Sequence, residues 1–180
     1  MRRGTADVVA ATLGALLLAS PSVAVPPGSV SATEALAICD QADTMPQAAR
    51  EAALARGEAI ARAALAADPS DARAHFALFC HLGRRMKHAG IGLSALFDLA
   101  PLKREIDTAQ RLAPNDADVL AAKGALLLEL PRLFGGDPIE AERLLHRALV
   151  IEPSNTDARC FLAAALRARG ETPSDVPPDC

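Results

Sequence analysis

The chain has 180 residues, a formal net charge of −3 and 51% hydrophobic residues, with neither Trp nor Tyr. That length suits one domain, and the mildly acidic balance excludes the strong basic excess of a nucleic-acid binder. The apolar content is mostly Ala, and no alternating β-branched or aromatic run appears; both facts argue against a sheet and for an all-α fold.

The N-terminus reads as a secretory signal peptide over residues 1–24. Arg2 and Arg3 precede an apolar run from Val8 to Ala19, Pro21 breaks it, and Ser22 and Ala24 are the small residues a signal peptidase selects. The other reading, an uncleaved anchor, needs a longer run than this one, because a bilayer span takes about 20 residues. No Cys closely follows the apolar run, which argues against a lipoprotein. Cleavage leaves a chain starting at Val25 with 17 basic and 21 acidic residues, exported to the periplasm or beyond and without stable membrane insertion. All four cysteines (Cys39, Cys80, Cys160 and Cys180) lie in that exported part, where disulfides form.

Helices are predicted near 32–43, 46–67, 71–88, 101–113, 116–130, 137–151 and 156–169. Between the third and fourth, residues 89–101 carry Gly90 and Gly92 as breakers and five large apolar residues, a pattern for a short extra helix over the others. Between the fifth and sixth lies Gly135-Gly136-Asp137-Pro138. A phosphate cradle needs free N–H groups and a following Lys, Ser or Thr. Here Asp137 would repel an anion and Pro138 removes a donor. The segment therefore reads as a turn: the two glycines end one helix, Asp137 caps the next, Pro138 takes its first position and Glu140 closes a capping box. The tail, 171–180, is polar and Pro-rich and should be extended and mobile unless Cys180 pins it.

Three segments share one layout: "AALAADPSDARAHFAL" (63–78), "AQRLAPNDADVLAAKGALLL" (109–128) and "ALVIEPSNTDARCFLAAAL" (148–166). Each has an Ala five residues before a Pro (Ala64 and Pro69, Ala109 and Pro114, Ala148 and Pro153), followed by residues that cap a helix. On these residues the chain resembles the tetratricopeptide repeat, a helix-turn-helix unit of 34 residues. Aligned on the prolines, the position where that family keeps Ala holds Gly57, Leu102 and Ala141, and Lys123 occupies a place normally apolar. The prolines are 45 and 39 residues apart, so two units carry insertions, near 89–101 and 131–136. The resemblance implies one domain over 25–170, with three to four repeats stacked as a short right-handed superhelix.

It also implies a concave groove lined by the first helix of each repeat. Carried over, the lining residues are Arg73, Phe76, Cys80 and Arg84, then Asp118 and Glu129, then Asp157 and Arg167. First helices of neighbouring repeats lie side by side in such a stack, which pairs Cys39 with Cys80. The ten residues after Gly170 are long enough to bring Cys180 to Cys160, with an intermolecular bond through Cys180 or reduced thiols as the alternatives.

Sites of chemistry are not apparent. His81 and His88 are two helical turns apart, about 10.5 Å, too far for one metal ion. Cys80 and His81 are adjacent on a helix and diverge, so they form no dyad. The basic run Arg84, Arg85 and Lys87 suits a helix C-terminus, with an anion clamp as the alternative. The expectation is a non-enzymatic exported scaffold without cofactor that binds a protein or peptide in its groove. The alternative is a small-molecule-binding or transporter-accessory protein, similar to the small exported repeat proteins of tripartite ATP-independent transporters. Nothing in the sequence sets an oligomeric state.

Overall fold

Capping side chains and turn prolines set the helix boundaries. The computed structural model describes residues 29–89, 93–171, 173 and 180, with side chains for all of these except 89 and 93–98. The predicted signal peptide lies outside the described residues, as do residues 90–92 of the first insertion and most of the tail. Among the described residues there are seven α-helices and no strand: α1 (Val30–Ala42), α2 (Gln47–Ala67), α3 (Ala72–Ala89), α4 (Leu93–Leu112), α5 (Ala117–Glu129), α6 (Pro138–Ile151) and α7 (Thr156–Ala168). A single turn of 3-10 helix, Arg132–Phe134, lies between α5 and α6. No described helix is long and apolar enough to cross a membrane.

The odd-numbered helices start in the same way. Ser29 accepts from the Ala32 N–H at the head of α1 and Asp71 from the Ala74 N–H at the head of α3. Asp116 accepts from Asp118 and Val119 in α5, and Asn155 from Ala158 in α7. Each satisfies donors that a helix N-terminus leaves open. Two of these caps also reach the previous odd helix: the Ser29 N–H donates to Asp71 at 2.9 Å, and the Asn155 amide donates to Asp118 at 2.7 Å.

Consecutive helices pack on one another, α1 also packs on α3, and α5 on α7. Alanines on one helix let the leucines of the next come close. One core joins Leu120 and Ala121 of α5, Leu144, Leu145 and Ala148 of α6, and Ala158 of α7. A second joins Ala35, Ala61, Ala77, Leu78, Leu82 and Leu102 from the first four helices. Between them, Phe76 and Phe79 of α3 pack against Ile106 and Ala109 of α4 and Val119 of α5. The two rings stack with centroids 6.3 Å apart.

Two expectations are corrected. Residues 93–101 form no separate helix; they are the first turns of α4, and Pro101 lies inside it. Placing Pro101 at a helix start avoids a cost of about 3 kcal/mol in a helix interior. Packing of Leu99 and Leu102, on both sides of the proline, against the Leu78 and Leu82 cluster offsets that cost. The Gly-Gly turn also works differently. α5 already ends at Glu129, and Gly135, in the left-handed conformation with φ 90°, closes the 3-10 turn instead. A Cβ on Gly136 would overlap the Leu130 carbonyl, so only glycine fits there. Asp137 caps α6 as expected. Glu140 closes no capping box: it is held by Arg143, and the Asp137 N–H donates to the Leu127 carbonyl at 3.1 Å.

Asp71 is 7% exposed. Burial alone would raise its pKa, but N–H donors from Ser29, Ala74 and Arg73 outweigh it and hold the carboxyl below 3.8. Asp71→Ala should cost about 2 kcal/mol at neutral pH, because the buried Ala74 N–H and the half-buried Ser29 N–H lose their acceptor. A lowered carboxyl pKa contributes stability above its unfolded value and loses it as pH falls through the folded one. The gap between wild type and Asp71→Ala in urea unfolding should therefore be full at pH 7 and close below about pH 3.8.

Candidate binding surface

The turn chemistry above brings α1 beside α3 and α5 beside α7 at their N-termini, and one cysteine pair fixes α1 to α3 further along. Cys39 of α1 and Cys80 of α3 are at disulfide-bonding distance, with Cα atoms 6.3 Å apart. Cys160 of α7 and Cys180 form the second pair, with Cα atoms 5.2 Å apart, so the tail is tied at its end to α7. Both pairings agree with the expected ones.

The eight groove candidates divide into two groups. Phe76 is half-buried between α3, α4 and α5, and Cys80 is bonded to Cys39. Arg84 is an internal clasp. Its guanidinium pairs with Asp43 at the end of α1 and donates to Cys39 Sγ at 3.3 Å, so its charge is already matched. Asp118 is held by Asn155. The side chains of Arg73, Glu129, Asp157 and Arg167 are exposed and make no hydrogen bond or ion pair among the described residues.

Electrostatics add Asp40 of α1 to this face. Loss of surrounding water raises its pKa against the pull of Arg84, and the Asp157 carboxylate of α7 raises it further. Asp118 is raised as well, by desolvation and by Asp116, Glu152 and Asp157, although Asn155 donates to it. The Asp157 carboxylate of α7 thus acts on both Asp40 of α1 and Asp118 of α5. Asp40 escaped the sequence reading because the repeat register starts at Pro69; its position next to Cys39 was the one signal for it.

Other unusual residues have internal roles. Lys123, at a normally apolar place, reaches α4, with its Nζ 2.8 Å from Asp107 and 2.6 Å from Gln110. His88 bonds Arg50 and Asp43 around the α1–α2 turn. His81 is fully buried and its Nε2 meets the Ala35 carbonyl at 2.9 Å. Among the described residues no three His, Cys, Asp or Glu side chains converge to hold a metal.

No protein-family model matches the chain, and no curated protein matches it either.

Proposed function

We propose that the chain is an exported, tetratricopeptide-like scaffold without catalytic activity whose odd-numbered helices form one continuous concave face that binds a protein or peptide partner. The observation that carries this reading is the alignment of those helices: α1 on α3, α5 on α7, with N-terminal links from Asp71 to Ser29 and from Asn155 to Asp118. Such a face offers exposed side chains along several helices and needs no reacting group. Two cysteine pairs at bonding distance support export to an oxidising compartment.

The test follows from which side chains are free of internal work. Arg84 is a poor choice, since changing it would break its clasp on α1. The double variant Asp157→Lys, Arg167→Glu removes no side-chain hydrogen bond or ion pair among the described residues and reverses both charges. Crosslinking in the native cell envelope, with identification of the captured proteins, should recover a partner with the wild type. The variant should lose at least tenfold of that yield while unfolding at the same urea concentration. An unchanged set of crosslinks in the variant would reject this face as the site.

A further inference from the structure

The Cys39–Cys80 pair has two unlike ends. Cys39, on α1, is fully buried against Ala42 and Leu54, whereas Cys80, on α3, is only partly buried. A thiol arriving from solvent therefore meets the Cys80 end first. Charge is the second difference. Arg84 follows Cys80 by one helical turn, and its Nε–H donates to the Cys39 sulfur at 3.3 Å. Another nitrogen of the same guanidinium pairs with Asp43, so the clasp on α1 leaves the Nε–H to the sulfur. A disulfide sulfur is a weak acceptor and a thiolate a strong one. The guanidinium thus favours a state in which Cys39 carries negative charge. Burial of that sulfur opposes the charge, as do the nearby Asp40 and Asp43 carboxylates, and the Arg84 N–H offsets them.

Three further links hold α1 on α3: the Ser29 N–H on Asp71, the His81 ring on the Ala35 carbonyl, and Arg84 on Asp43. None of them needs the bond, so the two sulfurs stay opposite each other when it opens. We propose that Cys39–Cys80 is a reversible thiol-exchange site, in which Cys80 is the sulfur attacked and Cys39 the leaving sulfur held by Arg84. The reductant is a dithiol. One of its thiolates attacks Cys80 Sγ and forms a mixed disulfide; the Cys39–Cys80 bond breaks, and its electron pair goes to Cys39 as a thiolate facing Arg84. The dithiol's second thiolate then attacks its own partner sulfur and expels Cys80 as a thiolate. The dithiol leaves as a disulfide, two electrons have passed to the chain, and its two protons end on Cys39 and Cys80. With a monothiol the reaction stops at the mixed disulfide on Cys80, from which Cys39 recloses the bond and returns the thiol. The proposal does not depend on what the concave face binds.

Brief exposure of the oxidised full chain to glutathione, followed by an acid quench and peptide mapping by mass spectrometry, tests the direction of attack. Among chains opened at this pair, the adduct should sit on Cys80 about tenfold more often than on Cys39, or more. Opening by dithiothreitol under native conditions should be about tenfold slower in Arg84→Met, because the leaving thiolate loses a charged donor. Were Arg84 only a clasp, its loss would loosen α1 and speed the opening. Asp43→Asn, which breaks the clasp and keeps the guanidinium, should not slow it. An adduct mainly on Cys39 or split evenly overturns the proposal. So does opening no faster than the whole chain unfolds, or opening in Arg84→Met that is unchanged or faster. Should Arg84→Met fail to fold, the adduct position and the opening rate of the wild type still decide.

Discussion

Removing the Cys39–Cys80 pair, as Cys39→Ala, Cys80→Ala, should lower the unfolding free energy by about 4 kcal/mol. The bond closes a loop of sequence separation 41, and the loss of unfolded-chain entropy for such a loop is worth about that much. The native side adds to it. Cys39 is fully buried and packs with Ala42 and Leu54, and Arg84 donates to its sulfur. Losing the bond therefore loosens the α1–α3 contact and removes the sulfur to which Arg84 donates. The Cys160–Cys180 pair closes a shorter loop, of sequence separation 20, and ties the tail to α7. By the same loop entropy its removal should cost about 3 kcal/mol, without the added loss of Arg84's contact with Cys39. Urea unfolding of the two double variants, read by helical circular dichroism, checks the contrast. Equal losses would show that the first bond has no special role in holding α1 to α3.

The second large effect centres on Gly57 and His81. A Cβ at Gly57 would overlap the His81 imidazole, which cannot retreat without losing the Ala35 carbonyl. Gly57→Ala should therefore cost about 2 kcal/mol through overpacking. His81→Ala should cost a similar amount or more, through a cavity and a carbonyl left without its donor. Together they should cost less than the sum by at least about 1 kcal/mol, because the new methyl group occupies space the ring vacates. Additive losses in a double-mutant cycle would show that the two residues do not share one slot. The same burial sets a pH dependence. Desolvation lowers the His81 pKa below 6.5, outweighing the Ala35 carbonyl and Glu58, which favour the charged ring, while Arg84 acts with burial and Asp40 against it. A histidine kept neutral by folding contributes full stability above its unfolded pKa and loses it as pH falls from about 6.5 towards the lowered folded value. That part of the acid dependence should vanish in His81→Ala.

Much of the fold was legible in the sequence because its punctuation is local. Pro69, Pro114 and Pro153, with Asp71, Asp116 and Asn155 after them, set helix boundaries through backbone chemistry that needs no knowledge of the whole molecule. The cysteine pairs were legible for a related reason, since neighbouring odd helices put Cys39 beside Cys80. Pro101 misled the reading. Its place inside α4 depends on Leu99 and Leu102 finding α3, a tertiary gain that outweighs a local penalty. The candidate surface was harder to read. Periodicity can put Arg84 on a face, but it cannot show that Asp43, from a different helix, already occupies it. Gly57 was visible as a departure from Ala in the repeat, and its meaning emerged only with the His81 ring that fills the space.

The Phe76 and Phe79 contact separates two blocks with different mechanical character. Within the first block, Asp71 clasps Ser29; within the second, Asn155 clasps Asp118; each block also contains one of the two cysteine pairs. Among the described residues no side-chain hydrogen bond joins α3 to α5, and the rings meet Val119 through dispersion alone. Directional bonds resist sliding, whereas stacked rings against a flat apolar wall tolerate small rotations at little cost. The two bonded pairs, α1 with α3 and α5 with α7, are thus joined not side to side but through α4, which His75 holds from α3 and Lys123 from α5.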